Sequence, residues 1–509
     1  MRIPERLRPW LLLGLVAFGV RCAAIAWNAD RLFGDVNLFA LVARDWVDHG
    51  TLNYPGKYDF SEASTYATLS SPAGQHPSAW PWLGGVVANL LGTRDTYFAL
   101  QLCGLVGGLL VVAAGARLAW LVGGRRAALW CGGALALHPY LVDYSANGSP
   151  FIWLGLATLT IPLAALEPRL SAWTAGLVAG LAVGIAISVH GAGLALLPFG
   201  LIALFILRDR QRVATTASCL LVAGLVLLPT CLWMHTHFGS WWHTTTTDYL
   251  LGKLGRIALV EQADGIRLIK GSLQWSDLPR ALGLATVSTG NYLLHLACEL
   301  GWLGLVGLGL GIAGFRRSPE QRRLGLALAL IALGVGLPCW LWPSFKFRFL
   351  AGLLPLAVWL VALAASRSTR FPRWAGGAVI GVLIFWGAQI VLTRSPAKYY
   401  AFDLEHRADY ADMRAVAAVL AAQPPGVVLS FNQTLDGGTA AAYWHEHPFV
   451  SARGHPDAFL RRHAETFNVA YLWLSPERAE AVATLFPQAS LLHAGDSHWV
   501  YSLPQIAHD

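Results

Sequence analysis

Charged residues are scarce in this chain. They make up 13% of its 509 residues, about half the fraction found in soluble domains, while hydrophobic residues make up 55%. A surface that faces water on all sides needs more charge than this, so the composition excludes a water-soluble protein. The apolar residues instead gather into runs of roughly 17 to 25, which is the length that crosses a bilayer. The sequence therefore predicts a helical membrane protein with many spans.

The seven cysteines lack the pattern of a disulfide framework. Each lies inside an apolar run, and none lies in a polar loop beside a second cysteine. We interpret them as small side chains buried in the membrane part. The polar C-terminal part has no Walker-type loop and no GxGxxG, and its best metal-ligand spacing, His445-x-His447, is weak.

Eleven apolar runs have the length and composition of transmembrane helices. The first follows three arginines without a small-residue cleavage site, so we interpret it as a retained span rather than a signal peptide. A further run, 79–91, is short and contains a proline, which favours a re-entrant or interfacial helix. The predicted spans are 9–27, 98–121, 126–141, 150–166, 172–188, 191–207, 213–234, 296–314, 324–342, 347–365 and 374–393.

Arginine clusters in alternate loops predict the orientation. Cytoplasmic loops carry the excess of basic residues, and with eleven spans all these clusters lie on the side of the N-terminus, which is therefore cytoplasmic. The clusters are at 125–126, 169, 208–212, 316–323 and 367–373. The parts that face outward are the loops 28–97, 138–150 and 235–295 and the tail from 396.

The net charge of +8 comes from the membrane part alone. The tail carries 7 Lys and Arg against 12 Asp and Glu. The basic balance therefore marks orientation and does not indicate a nucleic-acid partner.

The first outward loop contains an amphipathic segment that begins after Asp35 and ends at Gly50. Its apolar side chains recur at helical spacing, so we expect a helix lying flat on the membrane surface, with the Asp35 carboxylate at its N-terminus. The loop 235–295 also alternates between apolar and charged residues, and we interpret it as one or two further interfacial helices.

The composition changes at Pro396 to that of a small α/β domain. The patterns predict helices at 409–422, 456–466 and 476–485, strands at 426–431, 469–474 and 498–503, and a turn at 436–438. The sequence thus predicts a membrane part, 1–395, and a C-terminal domain, 396–509.

Four segments of the membrane part follow one another in a characteristic order. They are Gly34-Asp35 with its amphipathic helix and His76-Pro77, then 116–145, 183–198 and 345–364. In this order they resemble the GT-C glycosyltransferases, in particular the branch of protein mannosyltransferases and lipid A aminoarabinose transferases. The resemblance implies an all-α polytopic GT-C bundle, with interfacial helices in the first outward loop, followed by the small α/β domain.

The resemblance also implies a membrane glycosyltransferase of the bacterial inner membrane with a periplasmic C-terminal domain. Such an enzyme moves a hexosyl or pentosyl group from a polyprenyl-phosphate donor to a hydroxyl of a glycan, lipid or protein. The acceptor hydroxyl must lose its proton, and a carboxylate partly desolvated at the membrane edge suits that task. Asp35 matches the family's catalytic aspartate, which implies a general base and inversion at the anomeric carbon.

Other positions also match the family's site. Lys346 and Arg348 match its basic pair and would bind the donor phosphate, with His190 standing where the family has a lysine. The residues expected to line the acceptor side are Asp143, His76, Arg44 and His138. A divalent cation could lie between His76 and Asp35, His138 or His190, but their spacing is not a recognised ligand pattern, and no cofactor is certain.

Two other classes of protein stay open. A transporter or flippase usually shows internal repeats and charges near the midplane, whereas this chain shows no repeat and carries most charges at span ends. A non-catalytic scaffold would keep the fold without the transfer chemistry.

Overall fold

The structure is a computed structural model. It describes residues 7–29, 35–54, 56–58, 71–72, 78–208, 211–241, 251–262, 265–316, 318–341, 350–367, 377–385, 407–430, 443–451, 461, 464–465 and 467–504. Helices dominate these ranges up to residue 385, and a mixed sheet dominates the C-terminal part.

The helices are numbered along the chain. They are α1 Arg8–Asn28, α2 Asp35–His49, α3 Ala79–Leu91, α4 Thr96–Leu137, α5 Pro139–Ala146, α6 Phe151–Leu166, α7 Ala172–Val189, α8 Leu196–Leu207, α9 Arg212–Phe238, α10 Leu278–Gly314, α11 Pro319–Leu341, α12 Leu350–Arg367, α13 Arg407–Ala421 and α14 Ala479–Leu485. Residues 377–385 are also helical, within the predicted span 374–393.

Several helices can cross a membrane. Among the described residues, α1, α4, α7 and α9 are long and apolar enough, and α5 and α6 pass the same test as a pair bent by 119°. The chain is therefore a multi-pass membrane protein, as the sequence predicts. The count of eleven spans stays a prediction.

α4 reverses direction at Gly124, whose φ of 76° lies in the left-handed region that favours glycine. A Cβ at Gly132 would lie 3.2 Å from the Cβ of Ala116, and these residues stand equally far from Gly124 along the chain. The two halves of α4 therefore pack against each other. They correspond to the predicted spans 98–121 and 126–141.

α2 is buried inside the protein. The sequence predicts instead that this helix lies flat on the membrane surface. Every residue from Val36 to Ala43 is buried, including the polar Asn37. One hydrophobic cluster joins Phe39 of this helix to Trp80 of α3 and to Trp473 of the C-terminal domain. The apolar side chains of α2 therefore pack against protein. Protein removes them from water, as contact with lipid would.

Residues 257–270 form a β-hairpin, so the prediction of interfacial helices is wrong for this segment. Strand β4, Ile257–Gln262, pairs antiparallel with β5, Gly265–Lys270. Alternation of apolar and charged residues with a period of two suits a strand, and Asp264-Gly265 is a hairpin signal in the sequence.

The C-terminal domain is built on a six-stranded sheet of order β2-β7-β6-β8-β10-β9. Strands β2, β7, β6 and β8 are parallel, and β10 and β9 are antiparallel. The strands are β2 Gly56–Tyr58, β6 Val427–Ser430, β7 Phe449–Ser451, β8 Val469–Leu474, β9 Ser490–Ala494 and β10 Trp499–Ser502, while β1 Asn53–Tyr54 and β3 Ser71–Pro72 form a separate pair.

Most predicted elements of the tail are confirmed. The helices α13 and α14 and the strands β6, β8 and β10 lie where the sequence predicts them. The turn at 436–438 and most of the helix 456–466 lie outside the described residues. Strand β2 belongs to the first outward loop, so the sheet draws on both sides of the predicted boundary at residue 396.

Candidate functional site

The start of α2 meets the second outward turn at Gly148. This glycine has a φ of +76°, and a Cβ on it would lie 3.0 Å from Cγ1 of Val36. The carbonyl oxygen of Gly148 also accepts a hydrogen bond of 3.0 Å from Nε1 of Trp80, on α3. Since Asp35 directly precedes Val36, the first and second outward loops come together beside the predicted base.

Asp143 lies on α5, one turn before this meeting point. Its side chain is fully buried, and its Oδ2 accepts a 3.2 Å hydrogen bond from Nδ2 of Asn147. Oδ1 of Asn147 in turn accepts from the backbone N–H of Ser149 at 3.0 Å. Asp143 is therefore part of the hydrogen-bonded turn that holds Gly148 in place.

His190 ends α7 and faces the same turn through Phe151. The two rings lie 4.5 Å apart, and Nδ1 of His190 accepts a 3.1 Å hydrogen bond from the backbone N–H of Ala192. Because Nδ1 is the acceptor, the neutral ring carries its proton on Nε2. That nitrogen is the one suited to donate to a phosphate oxygen.

His138 occupies the junction between α4 and α5. It is fully buried, and neither ring nitrogen has a hydrogen-bond partner among the described residues. The guanidinium of Arg21, also fully buried, donates to the carbonyl oxygens of Ala136 at 3.0 Å and Leu135 at 3.3 Å, two and three residues before His138. A cation at a helix C-terminus satisfies carbonyls that have no partner within the helix.

The side chain of Arg44 contacts the C-terminal domain, away from the start of α2. It stands nine residues after Asp35, about 13 Å further along the helix axis. Its guanidinium lies 3.8 Å from the ring centre of Tyr443, donates to the carbonyl oxygen of Tyr443, and lies 3.7 Å from a carboxylate oxygen of Glu446. Arg44 therefore joins α2 to the C-terminal domain.

Tyr443 inserts between α2 and the N-terminus of α4. Its hydroxyl donates to Oδ1 of Asp95 and accepts from the backbone N–H of Tyr97, each at 3.1 Å. Burial raises the pKa of Tyr443, so the hydroxyl keeps the proton that it donates. The hydroxyl of Thr96 donates to the carbonyl oxygen of Ala40 at 2.7 Å and ties α4 directly to α2.

A second ion pair closes the same interface at its exposed edge. Arg94 donates two hydrogen bonds to Asp48, of 2.9 and 2.7 Å, and lies 3.5 Å from Glu446. Donating these hydrogen bonds to Asp48 raises the pKa of Arg94. Two carboxylates, one from α2 and one from the C-terminal domain, thus share one arginine.

Four of the sequence-predicted site residues cannot be located by side chain. Lys346, Arg348 and His76 lie outside the described residues, and Asp35 is described only as the first residue of α2. Asp143 and the start of α2 meet the turn at Gly148, and His190 contacts Phe151, three residues after that glycine. The described residues contain no group of three or more metal-ligating side chains, so a cation site would depend on His76 and Asp35.

Comparison with known proteins gives matches to solved structures, while no protein-family model and no curated protein matches the chain. The structure of ArnT from Cupriavidus metallidurans bound to undecaprenyl phosphate gives a TM-score of 0.64 at 16% identity, covering 98% of both chains. The oligosaccharyltransferase AglB of Archaeoglobus fulgidus, in complex with an inhibitory peptide and a dolichol-phosphate, gives 0.53 at 15% identity, covering 96% of this chain and 74% of that one.

A third similar structure is the arabinofuranosyltransferase AftD from Mycobacteria. Its TM-score is 0.51 at 15% identity, covering 100% of this chain and 42% of that one. At such identities the similarity shows the fold. The chain has a GT-C-like fold over its whole length, which confirms the resemblance seen in the sequence.

Proposed function

We propose that this chain is an integral membrane glycosyltransferase of the inner membrane. It transfers a sugar from a polyprenyl-phosphate donor to an acceptor hydroxyl on the periplasmic face. The observation that carries the proposal is the GT-C-like fold over the whole chain, which is shared with ArnT, a protein whose structure holds undecaprenyl phosphate. The start of α2 at Asp35, against the second outward turn, supplies the matching local feature.

Asp35 acts as the general base in this proposal. The acceptor oxygen attacks the anomeric carbon while its proton passes to the Asp35 carboxylate. The bond from that carbon to the donor phosphate oxygen breaks, and polyprenyl phosphate leaves with the electron pair. Attack from the side opposite the leaving group inverts the anomeric configuration.

The departing phosphate needs fixed cations and donors. Lys346 and Arg348 neutralise its oxygens, and Nε2 of His190 donates a hydrogen bond to one of them. Asp143, His76 and His138 line the acceptor side. Arg44 acts through the C-terminal domain, because its contacts lie there.

The membrane part, 1–395, carries the chemistry, and the domain 396–509 supports it. Tyr443 and Glu446 hold α2 from outside, and the domain shares a hydrophobic cluster with α2 and α3. This contact gives the C-terminal domain a structural role at the helix that begins with the base.

The test compares Asp35→Asn with Asp45→Asn. Asp45 lies on the same helix, and among the described residues the partners of its carboxylate are His49, Thr51 and the backbone N–H of Asn53. Mass spectrometry of lipid A, surface glycans and exported proteins, from cells with each variant expressed equally, would identify the product. We expect Asp35→Asn to lower its amount at least about a hundredfold, since general base catalysis contributes that much.

Asp45→Asn should leave the product unchanged. Full product with Asp35→Asn would contradict the proposed base, and the absence of any glycan difference between cells with and without the gene would contradict glycosyl transfer. Loss of substrate movement across the membrane, with all glycosidic bonds intact, would favour a transporter.

A further inference from the structure

A second feature, remote from the outward loops, is a groove between α10, α11 and α12. It has a volume of about 390 Å³. Its wall is almost wholly apolar and includes Leu308, Ile312, Phe315, Leu328, Leu356 and Leu360. Gly325 lets α11 approach the end of α10 closely, since a Cβ there would lie 2.9 Å from the Cβ of Phe315. A groove of this size and lining suits a hydrocarbon chain.

One end of the groove is basic. Arg316 and Arg322 line it, and Nε of Arg322 donates a 3.2 Å hydrogen bond to the carbonyl oxygen of Arg316, which draws the two residues together. Both are exposed, and among the described residues neither forms an ion pair. The segment 315–323 carries four arginines against Glu320 as its one acidic residue. The positive charge at this end is therefore compensated only in part within the segment.

We infer that this groove binds one anionic glycerophospholipid, with an acyl chain along the apolar wall and its phosphate between Arg316 and Arg322. Basic pockets between transmembrane helices are suited to anionic head groups, whereas a zwitterionic lipid offers no net charge to the two arginines. The predicted orientation places this end at the cytoplasmic face, whose leaflet supplies such lipids.

The polyprenyl donor is a poor occupant for geometric reasons. Its phosphate is assigned to Lys346 and Arg348, which precede the first residue of α12. The basic end of the groove lies beside the other end of α12, since a Cβ on Gly314, two residues before Arg316, would lie 3.8 Å from a guanidinium nitrogen of Arg367, the last residue of that helix. Since α12 has 18 residues and a helix rises about 1.5 Å per residue, the two phosphate positions lie at opposite ends of a helix about 27 Å long.

The test is native mass spectrometry of the full-length protein, released from micelles that contain equal amounts of phosphatidylglycerol and phosphatidylcholine. We expect retention of phosphatidylglycerol to be favoured by about twenty-five-fold, because each of the two arginines near an anionic head group contributes roughly a factor of five. Arg316→Gln with Arg322→Gln should reduce the preference to about one. The matched pair Arg125→Gln with Arg126→Gln, in the turn of α4 and outside the groove, should keep it.

A second pair of variants tests the acyl chain. Ala329→Trp would fill the groove wall and should abolish lipid retention, whereas Leu326→Trp, on the same helix but outside the groove, should not. The inference fails if the wild type shows no preference for phosphatidylglycerol, or if the preference survives both glutamines. It also fails if added polyprenyl phosphate replaces phosphatidylglycerol in the wild type. None of these outcomes depends on glycosyl transfer.

Discussion

His445 links the stability of the C-terminal domain to pH. His445 is 3% exposed. Burial, together with the neighbouring His447, lowers the pKa of His445 to about 3. The unfolded chain takes up a proton at this residue near pH 6.5, whereas the folded domain does not. Its contribution to stability is therefore intact above that pH and is lost as the pH falls. We expect a loss of about 2 kcal/mol at about pH 5.

Amide hydrogen exchange of β6, β7 and β8 in the full-length protein, at neutral pH and at about pH 5, measures this effect. His445→Asn keeps an acceptor for the backbone N–H of His447, which lies 2.9 Å from Nδ1, and removes the titration. We expect the acid-induced exchange to be smaller in this variant. Equal acid sensitivity in both proteins would show that His445 is not responsible.

The sequence predicts the residue types of the site better than their contacts. Asp143 and His190 are selected for their place near predicted outward turns, and the structure places Asp143 in the turn that contains Gly148 and His190 against Phe151, which follows that turn. Arg21 carries no signal beyond being one arginine in an apolar run. Its partners Leu135 and Ala136 lie more than a hundred positions further along the chain, and a pattern cannot show such a pairing.

At the scale of elements, α2 depends on the C-terminal domain for its position. Tyr443→Phe removes the hydroxyl that bonds to Asp95 and to the backbone of Tyr97, while the ring still fits under Arg44. We expect a cost of about 1 to 2 kcal/mol at this interface, because a buried backbone N–H loses its acceptor. Hydrogen exchange across residues 35–49 should rise by about tenfold, and product formation should fall.

Tyr501→Phe is the matched control for this variant. Tyr501 lies in β10 of the same sheet, and its ring packs near Trp499 rather than against α2. Removal of the Tyr501 hydroxyl should leave amide hydrogen exchange in α2 unchanged. If Tyr443→Phe raised exchange throughout the domain and not specifically in α2, the domain would be destabilised without positioning that helix.

The type of an element is predictable where the period of its apolar residues and the length of the run indicate the same type. The reversal of α4 follows from two apolar runs separated by glycines and arginines, and the strands β6 and β8 follow from short apolar runs. The hairpin β4–β5 is mistaken for helix because its strands are short. A short run of apolar and charged residues fits both the helical period and the strand period. The burial of α2 is missed because its covering surface comes from a domain about 400 residues away.

For the whole molecule, the orientation is a testable prediction. A reporter enzyme that is active only after export, fused after Pro396, should be active, because the predicted eleven spans would place the tail outside. The same reporter fused after Arg208 should be inactive, since the sequence predicts that this residue belongs to a basic cytoplasmic loop. Activity after Arg208 and not after Pro396 would reverse the orientation and would mean that α3 or another segment changes the number of crossings.

The overall architecture is more predictable than the contacts between distant parts of the chain. The sequence predicts the GT-C-like fold from the order of motifs, the alternating basic loops and the change of composition at residue 396. The structural matches confirm this fold at 16% identity. The pairing of β2 with β7 is not predictable from the sequence, because a three-residue strand has no distinctive pattern and its partner lies near the other end of the chain.

That pairing also sets an order of events during biosynthesis. The ribosome completes residues 56–58 long before residues 449–451, so β2 must wait for the end of the polypeptide before it can pair. A nascent or prematurely terminated chain lacks the strand that receives β2 and the tyrosine that contacts Arg44 of α2. The contact between the first loop and the C-terminal sheet therefore forms late, and only in a polypeptide that has been translated through residue 451.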